Sequence, residues 1–186
     1  KFPSMRMLDV GGGSGAFSIA TARKIPGATT VVLDLPNVIE TAKEIISQEE
    51  ESVRERISTL ALSATDPGRW DAVVDEGSFD VVLMSYVSGS VPSVALTSLY
   101  KNAHRALKPN GTLVVHDFFV DNDGFGPTNA ALWALAHVTV NPEGMGLVPR
   151  RVIGMLGEEG FVAPRVYDLI PGMTQMIVAR KKQSVS

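Results

Sequence analysis

The chain has 186 residues, 45% of them hydrophobic, with a formal net charge of −3 and no cysteine. That length supports one well-buried core rather than two, and the mild acidity supplies no basic field for nucleic acid or an anionic membrane. The lack of cysteine excludes disulfides, thiolate nucleophiles and cysteine-ligated zinc; no apolar run approaches the roughly 20 residues of a membrane span, and no signal peptide is visible, so a cytoplasmic location is expected.

In chain order, Met5 to Val10 predicts a first strand and Ala16 to Lys24 the helix that follows it. Between them lies Gly11-Gly12-Gly13-Ser14-Gly15, whose glycines permit a tight turn and close approach of a ligand to the helix N-terminus. Residues 29–33 predict the second strand, which ends at Asp34, an acid placed to accept hydrogen bonds from ribose hydroxyls. Residues 37–50 carry Val38, Ala42, Ile45 and Ile46 at helical spacing, and Gln48 to Glu51 reads as a solvated face. Strands are expected over residues 57–62 and 79–86. Leu96, Leu99, Tyr100, Ala103 and Leu107 then mark one helical stripe, stopped by Lys108-Pro109-Asn110-Gly111. A fifth strand over 112–120 precedes two helices, Thr128 to His137 and Pro149 to Glu158, and two strands, 161–169 and 175–179, close the chain around Pro171-Gly172. This alternation predicts an α/β fold: a Rossmann-like, mostly parallel seven-stranded sheet with helices on both faces and an antiparallel C-terminal strand. One domain is expected over residues 1–182, with 183–186 as a disordered tail.

The glycine loop fits two ligand classes. Gly11-x-Gly13-x-x-Ala16 satisfies the loose dinucleotide fingerprint, which would suit an NAD-dependent dehydrogenase. Asp9, two residues before the first glycine, completes Asp-x-Gly-x-Gly-x-Gly, a pattern like that of enzymes that bind S-adenosylmethionine, and so weighs against the dinucleotide.

Four stretches carry a wider resemblance: Leu8 to Gly15, Leu33-Asp34-Leu35-Pro36-Asn37-Val38, Arg105 to Gly111, and Asn141-Pro142-Glu143-Gly144 leading to Glu159-Gly160-Phe161. On these the chain resembles the catalytic domain of class I S-adenosylmethionine-dependent methyltransferases. More narrowly, it looks like the plant caffeic acid-type and bacterial small-molecule O-methyltransferases. The resemblance implies S-adenosylmethionine as cofactor, with Asp9, Gly11, Gly12 and Gly13 in the cofactor loop, Asp34 on the ribose and Leu35 against the adenine. Ser63 and Ala64 match adenine-side positions, with Asp66 an alternative to Ser63, and Met84 and Ser85 match positions lining the methionine end. It also implies a small-molecule acceptor and an N-terminal helical domain that dimerises and roofs the acceptor pocket. Nothing in this sequence corresponds to that domain, so the chain, which starts at Lys1, is expected to be a fragment of a homodimer's subunit.

The chemistry departs from the pattern. A phenol is a poor nucleophile at neutral pH, and a positioned base helps by about 10²–10⁴-fold. Plant-type relatives supply a histidine just after the fourth strand, held by two carboxylates. Here Ser88 is read at the histidine's position, Asp117 keeps one acid, and Gly146 falls at the other. His104 is expected to face solvent, and His116 to pack beneath a helix because adjacent strand residues point to opposite faces. His137 falls in the helix that lines the acceptor pocket in relatives, so His137 and Asp117 are the candidate catalytic residues. No local histidine–carboxylate spacing matches a metal site, and no metal is expected. Two readings follow: a small-molecule methyltransferase, with a hydroxyl acceptor, that works by positioning, or a binding protein that has lost or repurposed the chemistry.

Overall fold

A computed structural model describes residues 4–66, 70, 73–138 and 146–183. In chain order it runs β1 (Met5–Val10), α1 (Ala16–Lys24), β2 (Ala28–Asp34), α2 (Pro36–Ser47), α3 (Glu51–Arg54), β3 (Ile57–Ala61), β4 (Phe79–Ser85), α4 (Ser93–Ala106), β5 (Leu107–Asp117), α5 (Thr128–His137), α6 (Pro149–Glu158), β6 (Phe161–Ile170) and β7 (Thr174–Lys181). The Asn141–Gly144 motif, the Pro67-Gly68 turn and residues 184–186 of the expected tail lie outside the described residues.

Among those residues the strands form one seven-stranded sheet in the order β3-β2-β1-β4-β5-β7-β6. The first five pair in parallel, and β7 runs antiparallel between β5 and β6. The strand period of two divides the core: Val31 and Leu33 join one apolar cluster with Leu99 and Tyr100 of α4 and Leu156 of α6, whereas Val32 joins Ile19 of α1 and Ile39 and Ile46 of α2. Helices therefore cover both faces. No described helix is long and apolar enough to cross a membrane.

Three local expectations change. β5 begins at Leu107, directly after α4, and its pairing with β4 jumps from Phe79–Leu107 to Val81–Thr112. Pro109, Asn110 and Gly111 thus bulge out of the ladder, with Asn110 in the left-handed region at φ 63, rather than only stopping the helix. The strand ends at Asp117, because Phe119 and Val120 turn to pair with Leu147. Glu49, expected in a solvated face, is mostly covered and grips Arg23 of α1 through two hydrogen bonds of 2.8 Å.

One charge sits uneasily in this frame. Asp9 is 1% exposed, accepts a 2.8 Å hydrogen bond from the Ser18 hydroxyl and leaves Oδ1 without a hydrogen-bond partner. Burial raises its pKa from 3.8 to about 6. The folded state thus holds this proton longer than the unfolded chain, and the stability present below pH 3.8 is lost as pH rises to about 6. Asp9→Asn should flatten that fall and stabilise the ligand-free protein at pH 7 by about 1–2 kcal/mol. Urea unfolding midpoints of the two proteins from pH 3.5 to 7 check this; parallel curves would remove Asp9 as the source.

Candidate functional site

The strand order reverses between β1 and β4, and in an open α/β sheet the crevice beyond the carboxyl ends at such a point receives the ligand. The glycine loop forms its floor. Gly11, Gly13 and Gly15 have φ of 65, 56 and 79, a region L side chains rarely adopt, and the Gly11 and Gly12 N–H groups donate to the Leu33 carbonyl at 2.7 and 3.3 Å. At Gly12 an added Cβ would lie 2.9 Å from Asp9 Cγ, so only glycine lets the loop fold over that carboxyl. The Gly13 N–H donates to Asp34 Oδ2 at 2.8 Å, and Asp34 Oδ1 accepts from the Leu35 N–H at 2.7 Å.

An adenosyl group fits these residues. A Cβ added at Gly13 would meet nothing within 4 Å, so open space lies beside the loop. Asp34 retains acceptor capacity for hydroxyls after its two backbone bonds. Leu35 is 46% exposed and presents apolar surface for a base. Ser63 and Ala64 follow the end of β3, one strand beyond Asp34; the Ser63 hydroxyl pairs with that of Thr65 at 3.0 Å, and the Ala64 carbonyl accepts from Trp70 Nε1 at 3.0 Å. The Met84 side chain points away from the loop side of the sheet. It is 0% exposed, because the β4 alternation turns it into the α4-side core and puts Ser85 on the opposite face.

A second feature lies beyond β4 and β5. A cleft of about 620 Å³, open to solvent, is lined by Gly89, Asp117, Phe118, Trp133, His137 and Gly146 among others. Asp117 forms its polar end: Oδ2 accepts from the Gly89 N–H at 3.0 Å and Oδ1 from the Phe118 N–H at 2.9 Å. Burial pushes its pKa up, opposed by those N–H bonds and by His137. Phe118 and Trp133 stack at 4.4 Å, and His137 lies over Trp133 at 4.3 Å. The His137 Nδ1 is 3.0 Å from the Trp133 carbonyl. A carbonyl only accepts, so Nδ1 carries the hydrogen and Nε2 of the neutral ring is left as an acceptor. The fold thus brings Asp117 and His137 to one cleft from elements 20 residues apart in sequence.

Tyr86 packs against His116 and against the two aromatics of the cleft wall. Its ring centroid is 4.6 Å from His116, 5.3 Å from Phe118 and 6.4 Å from Trp133, and its backbone is left-handed at φ 60. After that turn Ser88 still lines the cleft. The Ser88 hydroxyl faces inward and accepts from Tyr100 Oη at 3.1 Å, whereas a Cβ added at Gly89 would lie 3.2 Å from Asp117 Oδ1. Of this segment it is Gly89 that Asp117 holds, through the backbone N–H. Gly146 has no room for the second acid: its φ is 45, and an added Cβ would collide with the Val120 side chain.

Of the other histidines, His104 departs from expectation and His116 packs beneath a helix as expected. His104 is half-buried and edge-on to Phe161 at 5.1 Å rather than facing solvent. His116 is buried at the end of β5, beside Phe17 of α1, with Nδ1 2.8 Å from Ser85 Oγ. Phe118 and Gly89 were missed as cleft residues; the only signal in the sequence was their position just after two strand ends. Among the described residues no group of three or more His, Asp or Glu could hold a metal.

The comparisons agree with this geometry. An O-methyltransferase domain family matches residues 2–162. The chain is 29% identical over 167 residues to acetylserotonin O-methyltransferase from Bos taurus, covering 86% of the chain and 43% of that protein. It is 28% identical over 180 residues to phenazine-1-carboxylate N-methyltransferase from Pseudomonas aeruginosa, covering 97% and 50%. It also superposes with a TM-score of 0.78 on an O-methyltransferase family 2 protein from Planctomyces limnophilus in complex with apigenin, 27% identical, covering 95% of this chain and 50% of that one. The chain therefore spans about half the length of these relatives. The family match sets aside the NAD-dependent dehydrogenase reading of the glycine loop. A carboxylate beside the glycine turn, an acid on the neighbouring strand and a sequence match over most of its length place the chain in the O-methyltransferase family, whose methyl donor is S-adenosylmethionine.

Proposed function

We propose that residues 1–182 are the cofactor-binding and catalytic domain of an enzyme that methylates a small molecule, with a hydroxyl as acceptor. The observation that supports this reading is the strand order: Asp34 ends β2 and Asp117 ends β5 on the same carboxyl edge of parallel strands, so a cofactor at the first and an acceptor at the second can lie side by side. Asp34, Leu35 and the loop from Gly11 to Gly13 would hold the cofactor, and bound S-adenosylmethionine would supply a methyl group on a sulfonium for in-line displacement. The remaining work falls to the cleft. Phe118 and Trp133 offer a flat apolar wall, and Asp117 offers an acceptor for the hydroxyl hydrogen. Holding the acceptor in line is worth up to several kcal/mol without a base. Gly89 supplies none.

Residues upstream of this chain are part of the same proposal. They would roof the cleft and carry a homodimer contact. Leu135 at 67% and Leu132 at 58% exposure leave α5 apolar on the side that such a roof would cover.

Two variants test the reading. Asp34→Ala should weaken S-adenosylhomocysteine binding by about 1–3 kcal/mol in calorimetry, since hydrogen bonds to two hydroxyls are lost; an unchanged affinity would take Asp34 out of the site. His137→Ala should keep the rate within a few-fold and the pH profile unaltered if positioning dominates. Loss of an acid limb with about 10²-fold or more of the rate would instead make His137 the base. Tight cofactor binding with no methyl transfer to any hydroxylated aromatic, by the protein that includes the upstream residues, would favour the reading in which the chemistry has been lost.

A further inference from the structure

His116 lies outside every motif in the sequence, yet it stands at the carboxyl end of β5 beside the first turn of α1. It is the penultimate residue of β5, is 4% exposed, and is the register partner of Ser85 at the end of β4. Its Nδ1 is 2.8 Å from Ser85 Oγ, and its Nε2 is buried without a hydrogen-bond partner among the described residues. The ring is edge-on to Phe17, the second residue of α1 after the glycine loop, and 4.6 Å from Tyr86. Burial lowers its pKa, so the ring is neutral at pH 7 and has one donor and one acceptor. Natural interiors rarely leave such a nitrogen unpaired, and here the open partner is on the side of the sheet that carries the loop.

The sheet order says which part of the ligand reaches it. Asp34 ends β2, and His116 stands near the end of β5, three strand spacings away across β1 and β4, or roughly 14 Å between backbones. A ligand whose ribose lies at Asp34 therefore extends its amino-acid end toward His116.

We propose that His116 is a cofactor-binding residue that donates from Nε2–H to the carboxylate of the cofactor's methionine portion, with the Ser85 hydroxyl donating to Nδ1 and so fixing that tautomer. Ser85 is then a positioning residue. The pair would give the chain a neutral donor for the carboxylate where a cation would otherwise serve.

The test compares two ligands by calorimetry: S-adenosylhomocysteine, which has the amino-acid end, and 5′-methylthioadenosine, which shares the nucleoside and lacks it. His116→Leu should weaken S-adenosylhomocysteine by about 10-fold or more and leave methylthioadenosine within about twofold. His116→Gln, which keeps a donor, should retain part of the difference. Equal weakening of both ligands, or of neither, overturns the proposal. In the unmutated protein, the ¹⁵N resonance of His116 Nε2 should shift on adding S-adenosylhomocysteine and not on adding methylthioadenosine; an unmoved resonance overturns it even where a variant does not fold. The inference rests on the cofactor reading, and the arms separate the two. Binding of neither ligand by the unmutated protein brings down both, whereas binding of both with no dependence on His116 brings down this one alone.

Discussion

The ligand side of the sheet depends on the hydrogen bond from the Gly13 N–H to Asp34 Oδ2. It ties the turn after β1 to the end of β2, so two successive strand–helix units act as one frame. With the loop amides of Gly11 and Gly12 already donating to Leu33, the glycine segment has little freedom left, and the carboxylate is held by backbone rather than by a mobile side chain. A binding acid preorganised in this way loses little entropy when a ligand arrives.

The same frame contains a destabilising element. Asp9 lies beneath the loop with its carboxyl pushed toward the neutral form, and the first turn of α1 has no acid of its own. A carboxylate reaching the start of α1 from the neighbouring strand complements the partial positive charge there, and it also takes the Ser18 hydroxyl. A carboxyl kept where the core disfavours it is the kind of local conflict expected at a functional site.

At the cleft, chemistry and packing are coupled through glycine. Asp117 remains where a histidine-orienting acid would stand, but Gly89 and Gly146 offer it backbone and space instead of an imidazole and a second carboxylate. Its oxygens are held by N–H groups of Gly89 and Phe118, which keeps the charge tolerable in a buried place. The tight fit of Val120 against Gly146 shows that the second acid's absence is built into the packing.

Strand, loop, helix, strand and acid could be read along the chain because each is a local pattern: the apolar run of β1, the glycines that need positive φ, Asp34 at the end of a β-branched stretch and the apolar stripe of α4. The C-terminal hairpin was equally legible from Pro171-Gly172, while its insertion with β7 next to β5 awaited the sheet. What only the tertiary structure decided is which way single side chains face. Ser88 lines the cleft as the resemblance implied, but after the left-handed Tyr86 its hydroxyl accepts from Tyr100 while the Gly89 N–H donates to Asp117. Met84 and His104 turn on the same point, since the element opposite each of them comes from a distant part of the chain. Local sequence determines the elements and the loop; the side a residue faces at a strand end depends on one backbone dihedral and on partners that only folding supplies.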